Sequence, residues 1–201
     1  MGAIRNPKPV LPIVACIFSR AEQVAAAIPE LERVLGSVAF ASEDYAFNFT
    51  DYYRDEMGPN LLRRFIAFAN PADASKLADW KVFSNALEER LAKQPRPEGR
   101  GELERTPSSA IPPASRPGLV EPTRSINLDP GYITPAKLVL ASTKDFSHRV
   151  YLRDGIFAEV TLSYVRGQWV GHDTTFPDYK GPTYHAFFTR CREYLMATAK
   201  A

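Results

Sequence analysis

Two alternating runs, Arg149 to Arg153 and Ile156 to Tyr164, flank Asp154-Gly155, and this pairing constrains the fold more than any other stretch. Asp-Gly between alternating apolar residues predicts a β-hairpin. A two-residue loop would set Arg149 and Arg153 among Ile156, Ala158 and Val160. A three-residue loop, Arg153-Asp154-Gly155 with Gly in the left-handed position, removes that conflict. Leu152 then opposes Ile156 and Val150 opposes Ala158, giving one apolar face. On the other face Arg149 opposes Glu159, Tyr151 opposes Phe157 and Ser147 opposes Thr161. This register puts His148 at the end of the apolar face, away from the Arg149–Glu159 pair.

The rest of the chain supplies elements for that hairpin to join. Val10 to Phe18 reads as a buried strand. Ser19-Arg20-Ala21-Glu22 fits a capping box with Ser19 at the N-cap. The helix that follows carries Val24, Ile28, Leu31 and Leu35 inward, with Pro29 as a kink or restart and Gly36 as its stop. Leu61 to Phe68 predicts a strand whose adjacent Arg63 and Arg64 must point to opposite faces. Asp51, Asp55 and Glu56 are the counter-ions expected for them. Asn70-Pro71 opens a second helix with Leu77, Trp80, Ser84, Leu87 and Leu91 as its inner stripe.

Composition changes at residues 93 to 125, which hold 7 of the 17 prolines. So little apolar surface cannot offset the cost of ordering, and a flexible insertion within one domain is expected. Asp129-Pro130-Gly131 then fits a type II turn, and Thr134-Pro135 the start of a short helix over Ala136 to Ala141. Ser142 to Asp145 follows as a polar loop, and residues 173 to 179 read as an exposed one. A closing helix from about Pro182 turns Tyr184, Phe187, Phe188, Cys191, Tyr194 and Leu195 inward. The expected fold is α+β: a mostly antiparallel sheet with helices on one face. The opening βαββαβ order is compatible with a ferredoxin-like core, to which a hairpin and helix are added.

A net charge of +2 with interspersed signs offers no broad basic field for nucleic acid. Cys16 and Cys191 stand far apart without a C-x-x-C, so both read as buried thiols in a reduced, cytoplasmic setting. No apolar run reaches membrane-spanning length, and no membrane partner is expected. Ile13-Val14-Ala15-Cys16 has the form of a lipoprotein cleavage box, but Pro12 interrupts the run before it and a first strand is the better reading. His148, His172 and His185 lack metal-ligand spacing, so no metal site is assigned and no cofactor follows.

Several long motifs coincide with one family: Lys8-Pro9-Val10, Phe49 to Tyr53 with Glu56-Met57-Gly58, Asn127 to Thr134, Lys137 to Leu152, Gly155 to Tyr164 and Thr175 to Tyr179. In these the chain resembles the uncharacterised microbial family catalogued as domain of unknown function 4416. Members carry a "GTP-binding" label, so the resemblance implies a guanine-nucleotide hypothesis and no catalytic residue. The residues themselves lack G-x-x-x-x-G-K-[ST], and Thr143-Lys144-Asp145 lacks the spacing of a guanine-reading N-K-x-D. The parts of a conventional GTPase are therefore missing.

The candidate site is Asn127, Asp129, Lys144, Asp145, His148, Arg149 and Glu159, with Asp51, Tyr52 and Glu56 contributing. Lys and Arg near turns can hold a phosphate or carboxylate, and His148 is the group able to move a proton near neutral pH. The leading expectation is binding of an anionic, nucleotide-like ligand, with no reaction assigned. The alternative is an RNA- or protein-binding module using Arg149, Tyr151, Arg153 and Phe157 on the hairpin. Convergence of the candidates in one concavity separates the two.

Overall fold

A computed structural model describes residues 2–50, 52–93 and 124–198. The expected insertion, apart from its ends, lies outside these, as does Asp51. The element order is β1 (Leu11–Phe18), α1 (Ala21–Leu35), β2 (Val38–Ala41), β3 (Tyr45–Ala46), α2 (Arg54–Met57), β4 (Leu62–Phe68) and α3 (Leu77–Ala92). After the insertion come β5 (Ile126–Ile133), β6 (Lys137–Ser142), β7 (Val150–Arg153), β8 (Ile156–Val165), β9 (Gln168–Gly171), α4 (Pro177–Lys180) and α5 (His185–Thr198).

The fold is α+β. Among the described residues nine strands form one sheet in the order β2-β4-β1-β5-β6-β8-β7, with β3 beside β4 and β9 beside β8. Every registered pairing is antiparallel. β1 lies at the centre because it is apolar throughout and buried on both faces. Val14, Cys16 and Phe18 face α1 and α3, together with Ile126 and Leu128 of β5. Leu11, Ile13 and Ala15 face the opposite layer, where α5 contributes Phe187, Phe188, Cys191 and Leu195. The long helices thus cover both faces, not one, because the closing helix carries its own aromatic stripe. Both cysteines are buried free thiols. No helix among the described residues is long and apolar enough to cross a membrane.

Several local expectations give way to tertiary structure. α1 is capped one residue later than Ser19: Arg20 is the N-cap, and Gln23 Oε1 accepts from the amides of Ser19 (3.0 Å) and Arg20 (2.9 Å). The same helix runs through Pro29 to the glycine stop at Gly36. Asp73, not Asn70, caps the 3₁₀ turn Ala74–Lys76 that leads into α3, its carboxylate accepting from Ser75 N. The run after Thr134 is strand β6, not a helix, because Leu138, Val139 and Leu140 pack into the sheet between β5 and β8. Thr134 closes the tight turn before it by accepting from the amides of Ala136 and Lys137.

The hairpin keeps the expected Val150–Ala158 and Tyr151–Phe157 pairs, but its tip differs. Asp154 and Gly155 both have positive φ, 54° and 73°, and Arg153 pairs with Ile156. The loop therefore has two residues, and a bulge between Tyr151 and Arg153 restores the register. The apolar face it was expected to complete is only half buried: Ile156 is buried, whereas Val150 and Leu152 are exposed.

Candidate functional site

The Asp129-Pro130-Gly131 run is not a turn; β5 continues through it, paired to β1 from Leu11–Ile133 to Phe18–Ile126. On its other side β5 meets β6 only at Gly131, Tyr132 and Ile133. Before Pro130 the two strands part. Strand alternation puts the N–H side of Pro130 toward this split, where the ladder with β6 has ended and no donor is needed. Gly131 then lets β6 close in, since a β-carbon there would lie 2.4 Å from Val139 O and 2.5 Å from Leu140 Cδ2. Pro and Gly thus mark the end of a split in the sheet.

A split sheet leaves backbone groups that must be satisfied some other way. Here α3 supplies the partners. Leu128 O accepts from Lys81 Nζ (3.0 Å) and Ser84 Oγ (3.1 Å), and Leu128 N donates to Glu88 Oε1 (2.6 Å). Lys81, Ser84 and Glu88 share the buried side of α3 with Leu77, Trp80 and Leu87. Three polar side chains thereby stand in for a neighbouring strand.

The split opens into a pocket of about 460 Å³ on the α5 side of the sheet. Cross-strand registers bring its lining together: Arg63 of β4, Ile17 of β1 and Asn127 of β5 form one row. Gly131, Leu140 and Glu159 form another across β5, β6 and β8. Five cations line the pocket: Arg63, Lys81, Arg124, Lys144 and Arg149. Among the described residues two carboxylates, Asp129 and Glu159, face them.

Its floor is ionic, with Arg63 and Lys81 buried and Asp129 partly exposed. Lys81 Nζ reaches through the split to Asp129 Oδ1 (2.8 Å), while Asn127 Nδ2 donates to Asp129 Oδ2 (2.7 Å). Burial by itself would raise the Asp129 carboxyl; Lys81 and Asn127 outweigh it and hold the group below the usual carboxylate range. Arg124 donates to Asn127 Oδ1 (2.6 Å) and pairs closely with Glu88 behind the wall. Burial pushes the Glu88 carboxyl up against the pull of Lys81 and Arg124.

Arg63, for which Asp51, Asp55 or Glu56 is the expected partner, turns to residues 178 and 179, while Glu56 meets Arg124 and Asp51 and the Asp55 side chain lie outside the described residues. Its Nη1 donates to Tyr179 Oη (2.7 Å) and its Nε lies 3.2 Å from Asp178 Oδ2, an ion contact without hydrogen-bond alignment. Asp178 is wholly buried, and burial raises its carboxyl to about 6 despite Arg63. The segment expected to be an exposed loop is therefore packed, with Thr175, Asp178 and Tyr179 buried. Arg64, on the opposite face, binds Asp44 through two contacts of 2.6 and 2.7 Å.

The mouth is aromatic. Tyr52, Phe146 and Phe176 line it and are 55%, 52% and 40% exposed, whereas Arg63 and Lys81 on the floor are each 4% exposed. Lys144 Nζ stands 4.2 Å from the Tyr52 ring centre, and the Arg149 guanidinium 4.9 Å from that of Phe146. Arg149 also donates to Ser142 Oγ (2.7 Å), Lys144 O (3.0 Å) and Glu159 Oε2 (2.8 Å).

Of the residues singled out from sequence, Tyr52, Asn127, Asp129, Lys144, Arg149 and Glu159 line this pocket. Glu56 stands outside the lining, its Oε2 3.6 Å from Arg124 Nη1. Asp145 is exposed and outside the lining, because the loop turns Lys144 inward and leaves its neighbour in solvent. His148 is also outside it, with Nε2 3.2 Å from Glu159 Oε2. It shares that carboxylate with Arg149, so the two are not on opposite faces: His148 and Arg149 precede β7, and strand alternation does not govern them. Lys81, Arg63, Arg124, Tyr53 and Tyr179 were not anticipated. The polar spacing 81, 84 and 88 within an apolar helix stripe was the available signal for Lys81.

Among the described residues no group of three or more His, Cys, Asp or Glu side chains is arranged to hold a metal ion. No curated protein and no solved structure matches the chain. The model of the family described as Domain of unknown function (DUF4416) matches residues 8–98 and 117–194, and the chain belongs to that family.

Proposed function

We propose that the pocket binds a small, nucleotide-like organic anion, its charged end on the floor and its ring at the mouth. The observation that carries this reading is the polarity of the cavity. Buried cations with N–H donors that no described residue accepts from sit on the floor, and exposed aromatic rings surround the entrance. Lys81 has three N–H groups and two internal acceptors, Leu128 O and Asp129 Oδ1. Glu56, Glu88 and Asp178 compensate the arginines from outside the lining, so the surface offered to a ligand is richer in donors than the charge count implies. Exposed aromatic rings suit a planar group, and the volume lies in the range of small-molecule sites. His148 would act on a ligand only through Glu159. Two buried thiols fit a reducing compartment, and the cytoplasm is the location this reading carries.

The hairpin module draws support only from exposed Val150, Tyr151 and Leu152. Its arginines are engaged elsewhere: Arg149 in the pocket, and Arg153 with Asp79 and Asp154. Thermal-shift screening with GTP, GDP, GMP and inorganic phosphate, each with and without magnesium, tests the proposal. A true ligand at tenfold excess over Kd raises Tm by about 3–6 °C. No shift with any of them would remove the nucleotide reading.

A further inference from the structure

We infer that the ligand's anionic end is a terminal phosphate monoester bound without a divalent cation, on the Lys81 donor left over beside the internal Asp129 carboxylate. This rests on the anion reading above and narrows it to a ligand class and a mode of binding.

Both carboxylates in the lining are already engaged. Nucleoside triphosphates are usually held as magnesium complexes, and magnesium is held through carboxylates or hydroxyls with room for water. Asp129 already accepts from Lys81 and Asn127, one on each oxygen. Glu159 accepts from Arg149 and His148 on Oε2 and from Thr161 on Oε1. A magnesium ion at either would have to break an ion pair and then sit beside the released cation. The five lining cations oppose it further.

Lys81 and Arg63 are nearly closed to solvent, Lys81 entering from α3 through the split and Arg63 from β4 within the sheet. A terminal group with three free oxygens can descend between them, and it offers each cation an acceptor. An internal phosphate of a longer chain has two non-bridging oxygens where the terminal group has three, so it offers these buried cations fewer acceptors.

Asp129 holds the Lys81 ammonium in place in the free protein, so the seat does not collapse. Its carboxylate also competes with the arriving anion. When phosphate takes the third Lys81 donor, Asp129 keeps its hydrogen bonds from Lys81 and Asn127. Its side chain is 27% exposed, so water screens part of its repulsion of the anion.

The competition sets opposite expectations for one variant. Asp129→Asn keeps the size of the side chain and removes the competing charge. If Asp129 is a competitor, calorimetric titration with GMP shows about tenfold tighter binding to the variant, with affinity unaltered by EDTA. If Asp129 holds a metal, the variant binds more weakly and wild-type affinity depends on magnesium. The wild-type titrations, GMP in EDTA against GTP with magnesium, decide the class even if the variant does not fold. GMP binding at least as tightly as magnesium-GTP supports the inference; magnesium-GTP binding tenfold tighter overturns it. Absence of binding by GMP, GTP and inorganic phosphate alike overturns the anion reading itself, a different failure from the wrong anion.

Discussion

Removing the Glu88 carboxylate tests whether α3 substitutes for a strand at the split. Glu88 Oε1 accepts from Leu128 N at 2.6 Å, Leu128 is wholly buried, and Oε2 pairs with Arg124. Glu88→Ala leaves a buried N–H without a partner, which costs about 1–3 kcal/mol. It also strands Arg124, whose side chain is 26% exposed, so the lost ion pair adds only about 1 kcal/mol after solvent screening. The expected total is about 2–4 kcal/mol, with the urea m-value unchanged if the unfolded surface is the same. Glu88→Gln keeps an acceptor for Leu128 and loses only the charge, so it should cost about 1 kcal/mol. Urea unfolding of the three proteins, with hydrogen exchange at the Leu128 amide, reads both terms. Equal stability of the two variants, or a Glu88→Ala cost below about 0.5 kcal/mol, would refute the reasoning.

The same geometry sets expectations for four further variants. Asp178 carries a carboxyl raised from 3.8 to about 6 by burial, so its contribution favours folding below about pH 4 and is lost as pH rises through about 6. That gap corresponds to about 3 kcal/mol, and the stability difference between wild type and Asp178→Asn should fall by this order from pH 4 to pH 7 in urea titrations; parallel curves would contradict it. Gly131→Ala should destabilise by about 1–3 kcal/mol in thermal melts, because the added methyl meets the β6 backbone. Gly171→Ala should cost far less, since its tightest contact, at 3.1 Å, is the flexible Lys180 stem. Lys144→Ala, at the exposed mouth, should weaken GMP binding several-fold in calorimetry and leave Tm unchanged.

What the sequence made legible follows from how local each signal is. The central strand Leu11–Phe18 and the inner faces of α3 and α5 are apolar patterns that need no partner to be read. The Asp129-Pro130-Gly131 run misleads for the opposite reason. Its residues are good turn formers, yet β1 pairs along the whole strand and β6 arrives only at Gly131. Tertiary pairing overrides the turn preference, and the same residues then serve to end a split. Ala136 to Ala141 looks like a helix because a Thr-Pro start is a local signal, while the two flanking strands that claim it are not local.

The site divides in the same way. The ionic residues after Asn127 were recognisable as a concentration of chemistry, and Asn127, Asp129, Lys144, Arg149 and Glu159 do meet in one concavity. The floor was less visible, because Lys81 sits on a helix face that periodicity assigns to the core and reaches its partner through a gap in the sheet. The partner of Arg63 lies 115 residues away in Asp178, a pairing that no spacing rule addresses. Adjacent arginines in a buried strand did signal that one must be compensated inside. Which acid does so depends on α4 folding against β4.

The central claim, a cationic seat at the split between β5 and β6, is tested most directly by following backbone amide resonances during titration with GMP. The account predicts that the largest shifts fall on Asn127, Leu128 and Asp129 and on Ser142 to Lys144, and that the Val150–Arg153 edge stays still. Shifts concentrated on Val150 to Arg153, with the amides of β5 unmoved, would contradict it.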